Sequence, residues 1–175
     1  MKSRPLLASL VLLLTWPVPP FAVTDALDIR EWQVPYRDSR PRDPYVAADG
    51  KIWFCGQIGA YIAVLDPQTG EFSKFDMQDN ERPHNLIIDD DGMVWYAGNT
   101  RGYIGRLDPA SGGIKKYPLP DGVNDPHTLV FNSEGDIWFT AQHSNVVGLF
   151  SVTTGETQVV SIPTLHARPY GIRMD

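Results

Sequence analysis

Three tryptophans, Trp53, Trp95 and Trp138, stand 42 and then 43 residues apart, and their surroundings recur with them. The stretches RPHNLIIDDDGMVWY and DPHTLVFNSEGDIWF align directly, and DPYVAADGKIWF is a shortened copy. Asp66-Pro67-Gln68-Thr69-Gly70 returns as Asp108-Pro109-Ala110-Ser111-Gly112 and, more loosely, as Ser151-Val152-Thr153-Thr154-Gly155. Pro83, Pro126 and Pro169 are 43 residues apart. A period in the low forties with aromatic and glycine landmarks, and without helical apolar spacing, is the signature of four-stranded propeller blades. The expected fold class is therefore all-β: a β-propeller with almost no helix.

Each unit holds four short strand signals separated by turn residues. In the third they cover 128–132, 136–140, 146–151 and 157–162, and the blades as a whole span about 44–77, 83–120 and 126–163. The fourth-strand aromatic position repeats as Phe75, Tyr117 and Val160, and the same pattern occurs once more around Trp32. That places a lone outer strand at 28–35, of the kind that closes a ring by completing its last blade. A further unit begins at 169–175. A closed ring needs four to eight blades, so the expectation is an N-terminal piece of a longer propeller, with a half-ring closed by a second copy as the alternative.

The first two dozen residues differ in character. Lys2 and Arg4 precede an apolar run from Leu6 to Leu14, followed by prolines and the small residues Ala22, Thr24 and Ala26. This reads as a secretory signal over 1–26, cleaved after 22, 24 or 26, too short to span a bilayer, and it implies a periplasmic or secreted domain over 27–175. The formal charge of −6 becomes −8 when Lys2 and Arg4 are removed, or −7 if Asp25 leaves too. Such an acidic chain lacks the clustered cations that nucleic-acid binding requires. The single cysteine, Cys55, has no disulfide partner in the chain and reads as a buried small residue.

Antiparallel connectivity decides which polar residues share an end of the ring. Residues that lead into the first strand of a blade and residues that leave its second strand lie together at one mouth of the central channel, where such barrels bind ligands. These are Tyr45 and Gln57 in the first unit, His84 and Asn99 in the second, and His127, Gln142, His143 and Asn145 in the third. Imidazoles and amides in one place suit a polar small-molecule ligand or proton transfer. The bland reading is that His84 is a turn residue bonded to backbone and His166 is structural, whereas His127 and His143 are brought together by the topology. Asp89-Asp90-Asp91-Gly92 occupies the turn held elsewhere by Asn132-Ser133-Glu134-Gly135, lacks spaced calcium ligands, and reads as a solvated hairpin turn.

The Pro-His pair heading the first strand, the DGxIWFT-type second strand and the NxxGxLDPxTG passage into the third and fourth resemble the streptogramin B (virginiamycin B) lyases, over 32–175. That resemblance implies a seven-bladed propeller that opens a cyclic depsipeptide by elimination at its ester, using Mg2+ and a histidine base. Carried over residue by residue, it implies catalytic roles for His127 and His143. The lyases carry a metal-binding glutamate after Trp-Phe-Thr; here that position is Ala141, and its counterparts are Gly56 and Gly98. Magnesium prefers hard carboxylate oxygens, which a methyl group cannot replace, so the metal ligands are not assigned from this sequence.

Two other functions fit the same residues. A non-catalytic propeller would use Gln57, Asn99 and Gln142 to hold a small ligand or a periplasmic protein partner. A calcium-dependent lactonase would need inward carboxylates, and none follows the three Trp-aromatic pairs.

Overall fold

The computed structural model describes residues 28–78 and 81–175, so the signal-like segment lies outside the described residues. The described residues fall into two units, 28–31 and Trp32–Asp175. In the first unit, the described residues 28–31 carry no strand, and Arg30 pairs with Asp28 at 3.5 Å.

The unit Trp32–Asp175 contains twelve strands in three sheets of four. Blade 1 comprises β1 (Pro41–Val46), β2 (Ile52–Gly56), β3 (Tyr61–Asp66) and β4 (Glu71–Asp76). Blade 2 comprises β5 (Pro83–Ile88), β6 (Val94–Gly98), β7 (Tyr103–Leu107) and β8 (Ile114–Pro118). Blade 3 comprises β9 (Pro126–Phe131), β10 (Ile137–Ala141), β11 (Val146–Phe150) and β12 (Thr157–Ser161). Every sheet is an antiparallel meander in chain order, and no helix occurs among the described residues. Blade 1 begins at Pro41, three residues before the expected 44, and residues 169–175 carry no strand.

The alternation of side chains along the second strand explains how blades stack. Trp53 and Cys55 face one side of blade 1, and with Ile62 and Val64 they pack against Leu86, Val94, Tyr96, Tyr103 and Leu107 of blade 2. One blade on, Ile87, Trp95, Ala97 and Ile104 pack against Leu129, Ile137, Phe139, Val146 and Phe150 of blade 3. Each buried large side chain contributes roughly 1.5–3 kcal/mol, so the core lies between sheets rather than within one. Trp53 stacks on Phe75 and Trp95 on Tyr117, with ring centroids 5.8 and 5.7 Å apart. Trp53 and Trp95 are thus core wedges, whereas Trp138 on the outward face of blade 3 is half-buried. Cys55 is fully buried in the same layer, and burial pushes its thiol pKa up, which makes it inert.

The segment around Trp32 keeps the position expected of an outer strand without its hydrogen bonds. Residues 28–35 are not in a ladder, yet the Trp32 ring lies over Gly70. Phe75 stands in the same relation to Gly112, and Tyr117 to Gly155. Val34 and Tyr36 then cover Phe54, Tyr61 and Ala63 on the outer side of blade 1.

Candidate functional site

The two ends of the sheets are built from different turn chemistry. At one end all six intra-blade hairpins turn through a glycine with positive φ: Gly50, Gly70, Gly92, Gly112, Gly135 and Gly155. Carboxylates and amides there are used locally: Asp89 accepts from the Asp91 and Met93 amides and from Trp95 Nε1, and Asn132 accepts from the Glu134 and Asp136 amides. The acidic run 89–91 is therefore a hairpin turn, as its sequence suggested. At the opposite end the left-handed region is occupied not only by Gly102 and Gly122 but also by side-chain-bearing residues, among them Asp38, Arg40, Asp43, Asn145 and Arg168. Such conformations cost about 1–3 kcal/mol each and concentrate where function constrains a backbone. That end carries the candidate site.

Two histidine groups form there. In the first, the rings of His84 and His127 lie 3.8 Å apart, and His127 also packs on Tyr170 at 4.2 Å. Both histidines are buried at the heads of β5 and β9, immediately after Pro83 and Pro126. His84 Nδ1 lies 3.2 Å from Asp43 Oδ2, which is ion-pair distance, but the approach is off the line a hydrogen bond needs. Burial and the neighbouring His84 depress the His127 pKa to about 4, so its imidazole is neutral at pH 7. Burial alone would raise the pKa of Asp43, but the close His84 imidazole, with Arg42 and His127 nearby, outweighs this and holds the carboxyl below the usual range.

The second group is His143, exposed in the turn between β10 and β11. Its Nδ1 lies 3.0 Å from Asp125 Oδ2, and its backbone N–H donates to the same oxygen at 2.5 Å. The other oxygen of Asp125 accepts from the Ser144 backbone and hydroxyl at 3.0 and 2.5 Å. Burial works against the Asp125 charge, but these donors prevail and keep its pKa low. An ionised carboxylate that accepts from Nδ1–H leaves Nε2 as the free lone pair, and the His143 side chain is 72% exposed. This is an oriented imidazole open to a ligand.

The structure thus separates the two histidines expected to meet: His127 partners His84 and Tyr170, and His143 partners Asp125. The other expected ligand contacts divide further. Gln57 is buried and accepts from Arg42 Nη1 at 3.4 Å, and Gln142 is half-buried beside His143. Asn99 Nδ2 donates to the Pro126 carbonyl, tying blade 2 to blade 3. Asn145 donates to the Ile162 and Thr164 carbonyls and accepts from the Arg168 amide, a clamp on the loop beyond β12. Tyr45 is not at the rim. Pro41 pairs with Gly56 as Pro83 does with Gly98 and Pro126 with Ala141, so Arg42 is the counterpart of the two histidines. A register shift between Arg42 and Tyr45 carries Tyr45 opposite Trp53, in the wall of a cavity of about 870 Å³ that Asn85, Thr128 and Tyr170 also line. Sequence reasoning missed Asp43, Asp125 and Arg42. The proline spacing held the signal for Arg42, because Pro41 stands 42 residues before Pro83.

Residues 22–175 match the model of the Virginiamycin B lyase family. The chain belongs to the virginiamycin B lyase family. Among solved structures it is similar to the virginiamycin B lyase from Staphylococcus aureus, with 25% identity and a TM-score of 0.73. A streptogramin B lyase structure matches at 28% identity and 0.74, and a catalytically inactive histidine-to-alanine variant of the S. aureus lyase with quinupristin at 25% and 0.73. Each match covers 81% of this chain and 47% of the lyase, so the chain spans about half the length of these relatives. The three blades are accordingly about half of a seven-bladed propeller of this family. A search of curated proteins gave no match.

Family membership raises the question of magnesium. Ala141, where the lyases carry glutamate, is fully buried in the apolar layer between blades 2 and 3. Among the described residues no three His, Cys, Asp or Glu side chains converge on a point that would hold an ion. These residues do not fit a magnesium site.

The titrations at this end give a stability prediction. For His127 the folded pKa lies below the ordinary histidine value of 6.5, so the unfolded chain binds more protons between about pH 6.5 and 4. The stabilisation is complete above 6.5 and is lost as pH falls toward 4, about 3 kcal/mol if the full shift is realised. Asp43 and Asp125 have the same sign, with losses confined to pH below their unfolded value of 3.8. Urea midpoints are expected to fall between pH 7 and 4.5, and His127→Asn is expected to flatten that slope. A slope unchanged by the substitution would remove His127 as its source.

Proposed function

We propose that the chain contributes a lyase-type site, in which His143 acts as general base in the elimination that opens a cyclic ester-linked peptide. The observation that carries this reading is the Asp125–His143 pair, which holds Nδ1 and presents Nε2 at the exposed end of the imidazole. In the reaction, Nε2 takes the proton from the carbon next to a carbonyl, and a C=C bond forms. The ester C–O bond breaks and its electron pair leaves with the carboxylate. No water is consumed, so the product has the mass of the substrate. Asp125 orients the ring and stabilises the imidazolium that forms.

The first probe is a streptogramin B-type cyclic depsipeptide such as quinupristin, the compound in the related lyase structure. Incubation with the chain is expected to give a linear product of unchanged mass with a new carbon–carbon double bond, detected by chromatography and ultraviolet absorption. A product heavier by one water would mean hydrolysis and end the elimination reading. Binding without conversion would favour the second reading, a ligand-holding propeller, which the burial of Ala141 at the metal-ligand position supports.

A further inference from the structure

The residues one place before the inner-strand prolines carry a pattern of their own. They are Arg40 before Pro41, Arg82 before Pro83, Asp125 before Pro126 and Arg168 before Pro169. Blades 1 and 2 use this position identically: the Arg40 carbonyl accepts from the Gln57 amide and the Arg82 carbonyl from the Asn99 amide, both at 3.2 Å. In blade 3 the position is Asp125, the residue that holds His143. One place per unit around the same rim is therefore assigned to guanidinium, guanidinium, the base-orienting carboxylate, and guanidinium.

All three arginines are exposed, and Arg40 and Arg168 adopt positive φ, at 47° and 50°. Among the described residues none of them forms an ion pair. The carboxylates at this end are largely engaged inward. Asp43 faces His84, Asp125 is saturated by His143 and Ser144, and Glu81 is buried between Lys116 and the Tyr103 hydroxyl. Asp38 and Asp121 remain exposed, as does Asp76, which pairs with Lys74. The opposite end carries Asp49, Asp66, Asp90, Asp91, Asp108 and Glu134 in its turns, so the unit is electrostatically polar despite its net negative charge. Guanidinium is the side chain suited to paired hydrogen bonding with a carboxylate, and three of the four positions of this repeat carry it.

We infer that Arg40, Arg82 and Arg168 form an anion-binding collar at the mouth, which receives a carboxylate of the ligand. The collar rests on the lyase reading in one respect only: it supplies positive charge for the carboxylate that leaves in the elimination, in a chain where Ala141 stands at the metal-ligand position. Anion binding itself is independent of that reaction.

The test uses citrate as probe, by isothermal titration calorimetry at low salt. Arg82→Gln is expected to weaken citrate binding about fivefold and the triple variant R40Q/R82Q/R168Q at least thirtyfold, with unchanged unfolding midpoints. The outer-strand pair K74Q/K115Q is expected to leave it within twofold. Equal citrate affinity in the triple variant and the unsubstituted chain overturns the collar, as does an equal loss in K74Q/K115Q. The two readings fail separately. Citrate binding that depends on the arginines without ring opening leaves the collar and removes the lyase, whereas ring opening with arginine-independent citrate binding does the reverse.

Discussion

His143→Ala is expected to lower kcat for ring opening by about 10³-fold, because general-base catalysis by a positioned imidazole contributes about 10²–10⁴. The effect should fall on kcat rather than KM, since the ring is asked to act on a proton in flight and not to anchor the ligand. Asp125→Asn tests the geometry behind it. Asparagine keeps the size of the side chain but offers either an acceptor or a donor to Nδ1, which frees the ring to adopt the tautomer with Nε2 protonated. A loss of roughly ten- to a hundredfold in kcat is expected, with the lower limb of the pH–rate profile displaced, as removal of a carboxylate partner destabilises the imidazolium. A purely structural Asp125 would lower the unfolding midpoint and leave the pH profile of the surviving protein in place. His143→Ala retaining more than a tenth of the turnover would remove His143 as the base.

Repeats made the architecture legible, and the same logic shows where the site was not. Trp53, Trp95 and Trp138 mark one place in three blades, so spacing alone gave the sheet order, the inter-blade core and the end of the molecule that gathers histidines. Which residues meet at that end depends on how far each lies from the ring axis, and a hairpin pattern carries no such coordinate. His127 heads an inner strand and turns toward the next inner strand, where His84 lies; His143 sits in a turn one strand further out and meets Asp125. Tyr45 was misplaced because Asp43-Pro44-Tyr45 imitates Asp125-Pro126-His127 in sequence, whereas Pro41 is the true counterpart of Pro126; the register shift itself recurs in all three inner strands. Asp125 was hidden by looking one residue too late, at the Pro-His pair instead of the residue before it. The pairing of the histidines was hidden because radial position is set by tertiary contacts, whereas Arg42 and Asp125 were within reach of the repeat alignment.

The largest effect on stability is expected at two glycines that face aromatic rings across a strand pair. Tyr96 pairs with Gly105 and Phe139 with Gly148, and each ring lies flat over the glycine. A Cβ on Gly105 would stand 2.1 Å from Tyr96 Cζ, and one on Gly148 would stand 2.2 Å from Phe139 Cζ. Both rings are fully buried between blades, so neither can move aside without opening an interface. Blade 1 shows what relief requires. There the partner of Phe54 is Ala63, and Phe54 borders a cavity of about 320 Å³ beside Trp32, Val34 and Phe72 into which its ring can shift. Gly105→Ala and Gly148→Ala are each expected to cost about 3 kcal/mol or more in urea unfolding, toward the upper end for overpacked cores. Gly171→Ala, with no atom within 4 Å of its added Cβ, is expected to change stability by less than about 0.5 kcal/mol. Shortening the ring should restore part of the loss: Phe139→Leu alone leaves a void, but with Gly148→Ala the void receives the methyl group, so the double variant is more stable than the sum of the two single costs. Strict additivity would show that the ring and the glycine are not in contact, and the stacking of blade 3 on blade 2 through Phe139 would have to be redrawn.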